Sequence, residues 1–336
     1  MIMLEKERKI MKRFSDKVFV SVDCVSGINE EASYFIDMET NKKEGKYNII
    51  SQGLSYIGNK TDFPRIRLPY AKPTLELSLD KNIVKYILDS LDYAEDSGKG
   101  ELGLNNKYSY VYLQCKSNLL TIYATDSYRC IVKKDIPFKS EGFTIGLNAK
   151  CLKNIKEDIS KQDEVSVVLR SDNLIGVEYG NKKMYHKYNS AVIDKKIYKN
   201  IGRWLGIFNN AEHLGIPLEG VDTKTINSLY TKYKVKKREQ KIRFSYLPKY
   251  KKIVVTSDKK SKITADYLYK FILDCDLGSD SFSIVLDYSY LKKVVSVSLD
   301  KLMYIKANDI GKINSNMQVV FKTKRGNVVF IALCRE

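Results

Sequence analysis

The sequence predicts an α+β fold made of a duplicated domain, each copy setting two helices on antiparallel sheets. Three observations predict it. The stretch FTIGLNAKCLKNI, residues 143–155, recurs in register as FSIVLDYSYLKKV, residues 282–294. Phe143 matches Phe282, Ile145 Ile284, Leu147 Leu286, Asn148 Asp287, Leu152 Leu291 and Lys153 Lys292. Each copy reads as an alternating strand, an Asn or Asp cap, and a short helix with Leu and Lys on different faces. Upstream, LLTIYATDSYRCIV (119–132) and KKIVVTSDKKSKIT (251–264) both run from a strand through Thr/Ser-Asp and out again. That is a hairpin signal, because Asp and Ser bond nearby backbone amides. Further upstream, LSLDKNIVKYILDSLDYA (77–94) and GVDTKTINSLYTKY (220–233) each place an Asp before an apolar-periodic helix. The whole order returns after roughly 140 residues, too long a period for a solenoid of about 20–50, so these are duplicated domains.

The 336 residues, 43% of them hydrophobic, suffice for two or three domains with real cores. Lys and Arg number 58 against 40 Asp and Glu, a net charge of +18. Such an excess favours a polyanionic partner, nucleic acid first and an anionic membrane second, with a Lys-rich compositional bias as the bland alternative. No run of 18 apolar residues exists, so no membrane span is expected. The basic start MIMLEKERKIMKRF lacks the apolar centre of a secretory signal. Six cysteines without CxxC spacing read as buried thiols in a reducing cytoplasm, the expected location.

Residues 1–73 stay outside the repeat. They offer strand-like runs at Val18–Val25, Tyr34–Met38 and Tyr47–Ile57, then an extended linker punctuated by Pro64, Pro69 and Pro73. A second boundary is expected near Gly206–Gly220. The organisation is therefore an atypical segment 1–73, a domain 74–205 and a domain 218–336, the first being a reduced unit or an appendage.

No catalytic constellation is found. His186 and His213, the only histidines, lie in different segments without metal-ligand spacing, and His186 reads as a strand residue. Asp126 and Asp258 sit at turns, where a structural role is the usual one. No phosphate-binding glycine loop appears, so neither enzyme, cofactor nor metal is expected. The lysines, by contrast, gather on the predicted helices: Lys81 and Lys85, then Lys150, Lys153 and Lys156, then Lys224 and Lys232, then Lys292 and Lys293. Lys150 and Lys153 share a helix face opposite Cys151, Leu152 and Ile155. Four basic helices at equivalent places of two copies point to a shared phosphate-facing surface, against the alternative of ordinary solvated faces. Tyr108, Tyr110 and Tyr112 alternate as in a half-exposed strand, with base stacking as the second option.

The arrangement LTIYATDSYRCIV followed by GFTIGLNAKCLKNI resembles the middle domain of the bacterial DNA polymerase III beta subunit, the sliding clamp, whose strand typically ends ATDGHR. EVSVVLRSDNLIGVEYGNKKMYHKYNSAVID (164–194) is similar to that family's late strands. The final unit, ending NVVFIALCRE, resembles its last domain, with Arg335 keeping the terminal arginine. The likeness covers about three quarters of the chain. It implies duplicated DNA-clamp domains of the processivity fold and a homo-oligomeric ring of six domains, helices inside and sheets outside, around duplex DNA held without sequence preference. It implies no chemistry, only a tether that raises the effective concentration of a DNA polymerase. It also implies an apolar peptide pocket between the middle and last domains, for polymerase and clamp loader, walled by Thr125, Ser127, Tyr128, Arg129, Cys130, Phe330 and Ala332. For Thr125 and Arg129, hairpin capping stays open as the alternative.

This sequence departs from the family pattern in three places. Ser127 stands where the family has glycine, IDKKIYKN lacks its Phe-Pro-Asp-Tyr, and ALCRE lacks its proline. With a missing or shortened first domain, two-unit chains closing as a trimer are preferred, and a dimer of three-unit chains is the other option. A non-encircling nucleic-acid-binding or scaffold protein of the same fold is the alternative function. A DNA-processing enzyme with its site in residues 1–73 is the third.

Overall fold

The computed structural model describes residues 71–95, 103–190, 195–210, 212–258, 266–306 and 318–334, with the backbone of six strands between Val18 and Gly58. The start of the chain before Val18, most of the proline linker and Arg335 lie outside the described residues. The chain divides into two compact units, Met1–Ala124 with Pro137–Asp194, and Thr125–Ile136 with Lys195–Glu336.

In the first unit, β7 (Pro73–Asp80) leads into helix α1 (Lys81–Ser90). Strands β8 (Tyr110–Lys116) and β9 (Leu119–Thr125) form a hairpin, and β11 (Phe143–Asn148) pairs antiparallel with β8 and feeds α2 (Ala149–Ile159). The meander β12 (Glu164–Arg170), β13 (Leu174–Tyr179), β14 (Lys182–Lys187) then pairs back onto β7 through β12. The second unit repeats this order. Strand β15 (His213–Pro217) is followed by α4 (Thr223–Lys232), and β16 (Lys241–Leu247) and β17 (Lys252–Ser257) form the hairpin. Strand β19 (Phe282–Asp287) pairs with β16 and feeds α5 (Tyr288–Val295). Strands β20 (Leu302–Lys306), β21 (Gln318–Lys322) and β22 (Val328–Ala332) form the closing meander, with β15 paired to β20. The duplication read from six matched positions in two 13-residue stretches thus extends to the hydrogen-bonded topology.

Helices α1, α2, α4 and α5 start where the sequence placed their caps. The Asp80 carboxylate accepts from the amides of Asn82 at 2.7 Å and Ile83 at 2.9 Å. Asn148 accepts from Lys150 and Cys151, Asp222 from Lys224 and Thr225, and Asp287 from Ser289. These bonds satisfy amides that have no partner inside the helix, each cap contributing about 1 kcal/mol. The apolar sides are buried: Ile83 and Ile87 on α1, Leu152 and Ile155 on α2, Ile226 on α4, Leu291 and Val294 on α5.

Four features go beyond or against the sequence expectations. A further helix, α3 (Lys195–Asn210), runs through the stretch expected to hold the start of a linker, and the two units divide ahead of it. It buries Ile201 and Leu205, and Trp204 and Phe208 lie 6.1 and 6.4 Å from the Phe330 ring. Strand β8 is not half-exposed: Tyr110 and Tyr112 are both buried, since the hairpin is covered on both faces. Their hydroxyls donate to the carbonyls of Leu104 and Lys107, which removes base stacking as their role. Cys275 and Cys334 are partly exposed, whereas Cys115, Cys130 and Cys151 are the buried thiols expected. Finally, residues 18–58 are not detached from the rest. Strands β1 (Val18–Val20), β2 (Cys24–Ile28) and β3 (Ala32–Asp37) extend the sheet of the first unit by pairing β3 with β14. Strands β4 (Glu39–Lys43), β5 (Lys46–Ser51) and β6 (Leu54–Gly58) make a separate three-stranded sheet.

Candidate functional site

A cavity of about 670 Å³ lies in the second unit, between the turn after β9, the start of α5 and the end of β22. The turn is built by three residues the sequence singled out. Thr125 Oγ1 donates to the Arg129 carbonyl at 2.7 Å and accepts from the Ser127 amide. Asp126 Oδ1 accepts from the amides of Tyr128 and Arg129, and its other oxygen pairs with Arg129 Nε at 2.8 Å. Ser127 sits at φ +75°, a left-handed conformation that costs a side-chain-bearing residue about 1–2 kcal/mol. Holding that turn leaves Tyr128 64% exposed at the rim.

Arg129 is only 8% exposed, and its guanidinium carbon lies 4.3 Å from the centre of the Tyr290 ring. The cation and ring brace the cavity wall from behind. Burial, reinforced by the Asp126 carboxylate, pushes the Tyr290 hydroxyl up to about 12, so it stays a neutral donor. Pairing of β10 (Arg129–Pro137) with β22 sets Arg129 opposite Ile331, and the Ala332 amide donates to the Tyr128 carbonyl. A further bond from the Cys334 amide to the Val285 carbonyl turns the chain end across the cavity. Burial raises the Cys334 thiol, which is therefore protonated at neutral pH. Lys241 and Asp287, opposite each other on β16 and β19, supply the charged side.

The structure brings Ser127, Tyr128 and Ala332 together on the lining of this cavity. Thr125, Arg129, Cys130 and Phe330 stand behind it as buried parts of the turn and of the β10–β22 pair. Sequence reasoning missed Lys241, Tyr290, Leu333 and Cys334 as lining residues and saw Asp287 only as a cap. The repeat itself carried the signal for Tyr290, which is aligned with the buried Cys151 yet is far larger and polar.

The lysines form a second candidate surface. Lys81, Lys156, Lys224, Lys232, Lys292 and Lys293 are exposed, while Lys85, Lys150 and Lys153 are half-buried along their stems. Helices α1 and α2 lie side by side in the first unit, and in the second Lys292 of α5 donates to Asn227 of α4 at 3.1 Å. Each unit thus pairs two helices with basic outer faces. Lys81 has an exposed ion pair with Asp163 at 2.9 Å, which is weak enough to be exchanged for another anion.

No family model matches the chain. A beta sliding clamp of Mycoplasmopsis pulmonis is 27% identical over 266 residues, 72% of this chain, and the match spans 65% of that relative's length. A crystal structure of the DNA polymerase III subunit beta from Pseudomonas aeruginosa aligns over 98% of this chain and 96% of its own, with a TM-score of 0.65 and 12% identity. The beta clamp of Helicobacter pylori bound to a DNA ligase peptide aligns over 98% and 97%, with a TM-score of 0.61 and 11% identity. The chain has the DNA sliding-clamp fold, α+β domains of paired helices on antiparallel sheets. Within that fold it resembles the bacterial DNA polymerase III beta subunits, in divergent form.

Proposed function

We propose that this chain is a DNA sliding clamp, a non-catalytic processivity factor that encircles duplex DNA as a homo-oligomeric ring. The observation that carries the reading is the recurrence, in both units, of two adjacent capped helices that bury Leu and Ile and turn lysines outward. The repeats running from β7 to β14 and from β15 to β22 supply the two clamp domains. Lysines on α1, α2, α4 and α5 contact phosphates without reading bases, which permits sliding.

The cavity beside Tyr128 takes a peptide of DNA polymerase or clamp loader, as the Helicobacter pylori clamp takes a ligase peptide. An apolar floor with one cation and one carboxylate suits a short motif with an apolar anchor. No cofactor or metal enters this function. Among the described residues no helix is long and apolar enough to cross a membrane.

The test is primer extension on a singly primed circular template, with the polymerase and loader of the same source. Adding the protein lengthens the products severalfold. Tyr128→Ala, at an exposed position, abolishes the lengthening while DNA binding persists. Product lengths that do not respond to the wild-type protein contradict the proposal.

A further inference from the structure

We infer that helix α3 fills the apolar end of the peptide groove with its own side chains, so that Trp204 and Phe208 decide which partner peptides the site takes. The inference rests on the peptide-binding reading above and deepens it. Its basis is the way the wall implied by the sequence divides. Side chains two apart on a strand share a face, so Phe330 and Ala332 look out from the same side of β22. Ala332 opens on the cavity, whereas Phe330 is only 3% exposed. Trp204 and Phe208 of α3 lie over it.

The cover can be followed across the sheet. Register sets Cys130, Phe330, Val320, Tyr304 and Gly215 in one row over β10, β22, β21, β20 and β15. Their neighbours Val319, Phe321, Val329 and Ile331 alternate to the opposite face, where they are fully buried. Along α3, Ile201, Trp204, Leu205 and Phe208 fall at i, i+3, i+4 and i+7, a single apolar face. The Trp204 ring lies 6.1 Å from that of Phe330. Phe208 lies 6.4 Å from Phe330, 6.2 Å from Tyr304 and 4.5 Å, edge-on, from His213 of β15. Lys322 Nζ stands 5.7 Å from the Phe208 ring and 5.1 Å from that of Tyr304. The helix therefore crosses the row from β22 to the edge strand β15, seated on it by aromatic contacts.

This placement limits what a partner can present. A peptide laid along the outer face of β22 meets Tyr128 and Ala332 first, and an apolar residue aimed next at Phe330 overlaps Trp204 and Phe208. What stays open is the cavity of about 670 Å³, bounded on its other side by the second sheet, β18 (Lys270–Asp274)–β17–β16–β19, through Lys241 and Asp287. Such a volume holds one large side chain and its immediate neighbours. Lys241 and Asp287 suit an acidic and a basic flank. The site thus takes a peptide with one apolar anchor between charged residues, and further bulky anchors gain nothing. Specificity comes from what α3 has already filled.

The test uses two dye-labelled ten-residue peptides, one with a single Leu between Asp and Lys, the other identical but for a Leu-Phe pair two residues further on. Fluorescence anisotropy gives their affinities. Trp204 is the only tryptophan, so its emission reports on α3 directly. The expected result is that the full chain binds both peptides within about twofold of each other and that neither shifts the Trp204 emission, whereas a Leu-Phe pair that found an apolar surface would tighten binding roughly tenfold or more. Trp204→Ala with Phe208→Ala uncovers Phe330, and the longer peptide then gains about tenfold while the shorter one does not. A wild-type chain that binds the longer peptide roughly tenfold more tightly, or whose Trp204 emission shifts on binding it, overturns the inference without recourse to any variant. A double variant that melts as the wild type does and shows no gain overturns it as well. Peptides that bind Tyr128→Ala as tightly as wild type, or that bind neither, overturn the peptide site itself and this inference with it.

Discussion

His186 is fully buried in β14, and its Nε2 accepts from the Asn148 amide at 3.1 Å, directly at the cap of α2. Since Nε2 accepts, Nδ1 carries the proton and donates to the Lys187 carbonyl at 2.9 Å. Burial lowers its pKa to about 4, against an unfolded value of about 6.5. The folded state thus holds a neutral imidazole that the unfolded chain would protonate first. The stability this confers is complete above about pH 6.5 and is lost as the pH falls toward 4, an effect of about 3 kcal/mol. Urea melts of wild type and His186→Gln between pH 7 and 4.5 check this, the variant losing much of the pH slope. At Ser127 the left-handed backbone favours glycine, which has no Cβ to crowd the carbonyl. Ser127→Gly accordingly raises stability by about 0.5–1 kcal/mol, the relief of strain exceeding the added unfolded-state entropy. Thermal melts of the two proteins measure it.

At the scale of elements, the proposed DNA contact rests on the basic helices. Reversing Lys150 and Lys153 to Glu leaves Leu152, Ile155 and the Asn148 cap in place, so the helix persists. Affinity for duplex DNA at low salt falls roughly tenfold, and the salt dependence becomes shallower as phosphate contacts are lost. Fluorescence anisotropy with a short duplex across a salt series measures both. These helices were legible in the sequence because their signals are local: an Asp or Asn cap, then Leu and Ile at helical spacing. Helix α3 was not legible, although Ile197, Ile201 and Leu205 keep that spacing, because the Gly, Pro and Asn between Gly206 and Gly220 suggested a linker that overlaps its last turn. The strands of residues 18–58 were legible as apolar runs, but the β3–β14 pairing joins segments far apart in the chain and no local pattern encodes it. The cavity shows the same division. Thr125, Asp126 and Arg129 announce a turn by themselves, while Lys241, Tyr290 and Cys334 reach it only through strand and helix packing.

For the whole molecule, a net charge of +18 would draw the chain to a polyanion such as DNA but gives no hold that outlasts a salt wash. A ring differs from a merely basic surface in that its retention depends on the topology of the DNA. The most direct measurement loads the protein onto a nicked circular duplex, washes at high salt, and cuts half the sample once with a restriction enzyme. Encirclement predicts that the protein stays on the intact circle and is released by the single cut, because it slides off the new ends. Equal retention on cut and uncut DNA would contradict encirclement and leave a non-encircling DNA-binding protein of the clamp fold.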